Sequence, residues 1–118
     1  MKNEFVPYDI ALAMTQVGWG WHEGVMGWYC NTTQELRRDD NLPVGVIYAP
    51  LYQQAFKWFR EEYRLDGKPE YFLNDWYCYI INDMKGEDNS RKLFTEFPTY
   101  EEAQDACLRK LIEIVKDR

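Results

Sequence analysis

The chain's single histidine, His22, stands next to Glu23, and a histidine beside a carboxylate is the pair from which general acid–base chemistry is built. Adjacent residues of an extended segment point to opposite sides, however, and with no second histidine the pair completes neither a metal site nor a proton relay. The cysteines offer no better nucleophile. Cys30, Cys78 and Cys107 are odd in number and widely spaced, with apolar or aromatic neighbours and no adjacent cation to stabilise a thiolate. Neighbouring acids (Asp39 with Asp40, Glu61 with Glu62, Glu87 with Asp88) have the look of solvated surface, not of carboxylates held at strand ends for hydrolysis. Neither GxGxxG nor GxxxxGK[ST] occurs to cradle a phosphate. These residues predict no enzyme: no catalytic residue, no metal and no cofactor.

Binding is the other chemistry the residue types allow. "GWGWHEGVMGWYC", residues 18–30, holds three tryptophans, a tyrosine and the histidine. Trp19 and Trp21 lie between glycines in a connection, where exposed indoles could stack a ring or cage a cation at little entropic cost. Arg37 and Arg38 could add a phosphate contact. Trp19, Trp21, His22, Arg37 and Arg38 are therefore the candidate binding residues. The competing expectation is that one of the loop tryptophans caps the core edge beneath the loop. Trp28, Tyr29 and Cys30 are read as sheet residues.

Twenty acidic against fourteen basic residues give a formal charge of −6, which opposes attraction to a nucleic-acid backbone or an anionic membrane. The two basic pairs, Arg37–Arg38 and Arg91–Lys92, each sit beside acids that cancel most of their field. The N-terminal "MKNEFVPYDIALAM" has no apolar run of signal-peptide length, and no stretch approaches the roughly 18 apolar residues of a membrane span. The expectation is a cytoplasmic protein with reduced thiols and no nucleic-acid or membrane partner.

The 118 residues, 46% of them hydrophobic, suit one domain over 1–118 that needs no disulfide or structural metal. Three segments read as helices. "PYDIALAMTQV" (7–17) begins with proline and runs into Gly18, suited to the left-handed conformation that ends helices. After Pro50, "LYQQAFKWFREEYRL" places Tyr52, Ala55, Phe56, Phe59 and Tyr63 at steps of three and four, with Asp66-Gly67 as the stop. Burial of Phe56 and Phe59 is expected to contribute about 1.5–3 kcal/mol each, making Phe56→Ala among the most damaging changes. "FPTYEEAQDACLRKLIEIVKDR" opens with a Thr99/Glu102 capping box, then an apolar stripe of Ala103, Ala106, Cys107, Leu111, Ile114 and Val115.

Strands fill the rest: "GVMGWYC" (24–30), "GVIYA" (45–49), "YFLNDWYCYIIN" (71–82) broken by a turn or bulge at Asn74-Asp75, and "RKLFTEF" (91–97). "NTTQELRRDDNLP" and "NDMKGEDNS" read as exposed hairpin loops. The result is an α+β domain: one antiparallel sheet of four to five strands packed with three helices, in the order α-β-β-α-β-β-(β)-α. Strand 76–81 is apolar on both faces, so it is either covered on both or uses one for a homodimer.

Three blocks, "FVPYDIALAM", "APLYQQAFKWFREEY" and "FPTYEEAQDACLRKLIEIV", resemble small uncharacterised proteins of gut Bacteroidales and of their phages and mobile elements. The resemblance implies no activity and no catalytic residue. The acidic surface and exposed aromatics then point to an accessory or interaction protein of phage or mobile-element origin whose partner is a host protein. The alternative is a small-ligand protein that stacks a nucleotide or metabolite on the loop tryptophans.

Overall fold

Each helix is started by a local device that the sequence carries. Pro7 is the N-cap of α1 (Tyr8–Gln16), and its carbonyl accepts from Ala11 N–H at 2.9 Å. At the start of α2 (Tyr52–Glu62), the Gln54 side chain accepts the Leu51 N–H at 2.9 Å, satisfying a donor the helix itself leaves unpaired. Thr99 caps α3 (Tyr100–Lys116), its hydroxyl accepting from Glu102 N–H at 3.0 Å. The Glu102 carboxylate meets the Thr99 hydroxyl at 3.3 Å, so the two capping side chains bond each other as well.

The computed structural model describes residues 5–20, 25–30, 33–38, 45–84 and 91–118. Between the helices run β1 (Gly27–Tyr29), β2 (Leu36–Arg37), β3 (Ile47–Ala49), β4 (Leu65–Leu73), β5 (Trp76–Asp83) and β6 (Arg91–Phe97), an α+β fold of order α-β-β-β-α-β-β-β-α. The strands form two three-stranded antiparallel sheets, β2-β1-β3 and β4-β5-β6, and not the single sheet of four to five strands expected from sequence. The physical reason is chain order: α2 interrupts the strands between β3 and β4, and each run of three closes on one central strand, β2 and β3 flanking β1 and β4 and β6 flanking β5. One of those strands escapes sequence reading and another is read only in its last residues, 71–73. β2 hides in the charged segment 31–43, and β4 begins at Leu65, six residues before the aromatic run. No helix among the described residues is long and apolar enough to cross a membrane.

The chain forms two compact units, residues 1–54 and 55–118. The first buries Val6, Ile10, Ala11, Met14, Trp19, Trp28, Tyr29, Ile47 and Ala49. All three residues of β1 are buried, and the Tyr29 hydroxyl donates to the Val6 carbonyl at 2.6 Å. Burial, and then Asp9, push that phenol above its ordinary pKa.

In the second unit α3 packs on the β4-β5-β6 sheet through Ala103, Cys107, Leu108, Leu111 and Ile112. The buried stripe is centred closer to Leu108 and Ile112 than the expected one; Ala106, Ile114 and Val115 are only half-buried. α2 ends at Glu62 and the chain turns away at Arg64, whose φ of 58° supplies the left-handed turn, and not at Asp66-Gly67, which belong to β4. Gly67 has a different task. A Cβ there would lie 2.9 Å from Cys107 Sγ and 3.1 Å from Leu111 Cδ1, so the missing side chain is what lets α3 approach the sheet. Gly67→Ala is expected to cost about 1–3 kcal/mol by overpacking. Pairing it with Cys107→Ala should recover part of that loss, a coupling that a double-mutant cycle in urea measures.

Candidate functional site

Of the sequence-expected binding residues, Trp19, Arg37 and Arg38 lie among the described residues. The helix-ending turn after α1 decides the fate of Trp19. Gly18, at φ 112°, donates to Thr15 O at 3.2 Å and Trp19 N–H donates to Met14 O at 3.0 Å, the paired bonds of a Schellman cap. That cap folds Trp19 back: the ring is 2% exposed and its Nε1–H donates to the Tyr48 carbonyl at 2.9 Å. Trp19 is core, not a presented indole. Trp21 and His22, with Glu23, lie outside the described residues. The Arg37 guanidinium sits 5.5 Å from the Trp28 ring centre and that of Arg38 4.8 Å from the Phe5 ring centre, cation–π contacts within their own unit. Of the paired acids, Asp39, Asp40, Glu87 and Asp88 lie outside the described residues, while Glu61 and Glu62 are exposed at the end of α2.

The thiols in the second unit are held as thiols. Burial, with Asp66 second, drives the Cys107 pKa far above the ordinary value, and burial with Glu70 raises that of Cys78. A nucleophilic cysteine needs the opposite shift. Tyr79 is pushed up to about 12, by burial first and then by Cys107 and Glu113. Among the described residues no group of His, Cys, Asp and Glu could hold a metal ion.

The surface that does stand out is the far end of the β4–β5 hairpin. Asn74 and Asp75, at φ 52° and 64°, form a two-residue turn with both central residues left-handed, the geometry that matches strand twist and that short polar side chains tolerate. Register pairs Tyr71 with Tyr77 and Leu73 with Trp76, leaving Phe72 as the extra residue of a bulge. Tyr71 is 59% exposed, Phe72 41%, Leu73 46% and Trp76 44%. Opposed residues share a face, so Tyr71 and Tyr77 lie on the side that faces α3, Leu73 and Trp76 on the other, with Phe72 at the bulge between them.

The exposure follows from where the covering elements stop. β6 ends at Phe97, opposite Tyr77, and α3 starts at Tyr100, so the hairpin runs on past both. Further back, β5 is buried on both faces from Cys78 to Ile81. The tip is braced: Tyr71 and Tyr77 meet edge to face at 5.7 Å, Tyr77 and Tyr100 at 6.1 Å, and Asp75 N–H donates to the Tyr71 hydroxyl at 3.3 Å. Exposed apolar side chains on a braced turn suit recognition of a partner, because a braced element has less entropy to lose on binding.

Sequence reading passed over these residues because an apolar run on both strand faces also describes a buried central strand. The available signal was the Asn74-Asp75 turn in the middle of the run, which puts its flanking aromatics at a hairpin end. No protein-family model matches the chain, and no curated protein and no solved structure matches it.

Proposed function

We propose that the protein is a non-enzymatic interaction protein that binds a partner protein through the aromatic tip of the β4–β5 hairpin. The observation that carries this reading is the group of four large apolar side chains, Tyr71, Phe72, Leu73 and Trp76, gathered by one turn and left uncovered. Several exposed aromatic and apolar side chains at one hairpin end match the composition of interface centres, whereas isolated exposed apolar residues need no explanation. The resemblance of three sequence blocks to proteins of Bacteroidales phages and mobile elements supports a partner in the host cell. A ligand-stacking role for the loop tryptophans has less support, since the Trp19 ring is core and its N–H already bonded.

A photo-crosslinking amino acid placed at Phe72, with the exposed Lys57 on α2 as control position, tests the proposal in host lysate. A discrete adduct is expected from Phe72 alone. The captured protein, once purified, should bind the wild type and lose about thirtyfold or more in affinity for Phe72→Ser/Trp76→Ser, the loss typical of interface hot spots. Equal adducts at both positions, or equal affinity for the variant, would overturn it. The variant's melting should stay near wild type, since substitutions at exposed positions usually move stability by about 0.5 kcal/mol or less.

A further inference from the structure

The charge of the chain is not spread evenly, and its distribution bears on what the tip accepts. Segments 69–79 and 96–108 contain Glu70, Asp75, Glu96, Glu101, Glu102 and Asp105 and not one lysine or arginine. Setting those six aside leaves fourteen acids against fourteen Lys and Arg in the remainder, so the entire net charge of −6 belongs to these two segments. Register brings them together: Tyr77 pairs with Phe97, and Tyr77 touches Tyr100, at the first turn of α3. Asp75 sits in the turn itself, Glu96 is exposed in the β6 bulge, and Glu101 and Glu102 are exposed beside Tyr100. Glu70 has Lys68 at 3.2 Å, and Asp105 is half-buried, so Asp75, Glu96, Glu101 and Glu102 are the exposed acids of this end.

We infer, on the reading of the tip as an interface, that its partner is a polypeptide surface with an apolar centre flanked by lysine or arginine. An apolar centre would cover the end of the hairpin at Phe72, Leu73 and Trp76, and cations at its rim on the α3 side would meet Asp75, Glu101 and Glu102 and the face of the exposed Tyr71 ring. A second copy of this chain is disfavoured, because two such tips would bring like charges together. Strand addition along β4 is disfavoured too: Pro69 and Lys68 interrupt that edge, one lacking a donor and the other presenting a charge. The tip therefore recognises through side chains.

The test uses two synthetic helical peptides with the same leucine stripe, one with a lysine polar face and one with glutamate, titrated against the full chain by calorimetry at low and high salt. The lysine peptide is expected to bind at least tenfold more tightly than the glutamate peptide, and less tightly as salt rises. Asp75→Asn/Glu101→Gln/Glu102→Gln should weaken it about two- to fivefold per charge removed, as for exposed ion pairs. Phe72→Ser/Trp76→Ser should abolish it while leaving the acids in place.

Each other outcome overturns the inference. No binding of the lysine peptide, or equal binding of both peptides that still needs Phe72 and Trp76, removes the basic partner and leaves the tip as an interface. Lysine-peptide binding indifferent to Phe72→Ser/Trp76→Ser would be diffuse charge attraction and would count against the tip as an interface altogether. Concentration-dependent dimerisation lost in that variant would make the occupant a second copy, and its co-sedimentation with zwitterionic vesicles would make it a lipid surface.

Discussion

Trp19→Ala is expected to destabilise the protein by about 3–5 kcal/mol, the range for emptying a buried aromatic site. The ring is nearly inaccessible, so its removal forfeits both the transfer energy of the indole and the packing around the cavity it leaves. The Nε1–H bond to the Tyr48 carbonyl adds a second loss, because Tyr48 lies in β3 and its carbonyl would be left without that donor. Trp19→Phe separates the two contributions. It retains most of the ring and deletes the donor, so an intermediate cost of about 1–3 kcal/mol is expected. Urea denaturation followed by circular dichroism should show the midpoint falling in the order wild type, Phe, Ala with little change in slope. A shift within about 0.5 kcal/mol for Trp19→Ala is the behaviour of a surface residue, and would return the indole to the role of a presented binding group.

That experiment also marks how far local sequence signals reach. Gly18 as the end of α1, the Thr99 cap of α3 and the turn at Asn74-Asp75 are legible because each depends on residues within one turn of one another. The position of Trp19 follows from the first of these. Two residues beyond the C-cap Val17, in the Schellman geometry, a large apolar side chain is folded back toward the last turn, so the glycine that ended the helix also removed the tryptophan from the surface. The separation into two sheets and the exposure of the hairpin tip are not local facts. Tyr71, Phe72, Leu73 and Trp76 are uncovered because β6 ends opposite Tyr77 and α3 begins three residues later. Neither stopping point is written in the hairpin's own residues. The acid-rich character of that end was likewise present only as a net total until register placed 69–79 beside 96–108.

The second large effect falls one residue class away from where helical periodicity alone puts it. Phe59→Ala is expected to cost about 3–5 kcal/mol, and Phe56→Ala, at a half-buried position, about 1–2. The buried residues of α2 are Ala55 and Phe59, one helical turn apart, which rotates the inward stripe away from Phe56. Phe59 also joins a ring cluster: it meets Trp58 at 5.0 Å and Tyr63 at 6.2 Å, and Trp58 meets Tyr63 edge to face at 5.4 Å. Removing the shared ring ends two aromatic contacts, each worth about 0.5–1.5 kcal/mol beyond buried area. Near-ultraviolet circular dichroism should therefore lose Trp58 and Tyr63 intensity in Phe59→Ala and keep it in Phe56→Ala, while Phe59→Leu, which refills most of the volume, should recover much of the stability. Denaturation midpoints decide the order. Each residue turns an α-helix by about 100°, so a larger loss at Phe56 than at Phe59 would mean that the apolar face of α2 is turned toward the former, and the Trp58–Phe59–Tyr63 cluster would have to be abandoned with it.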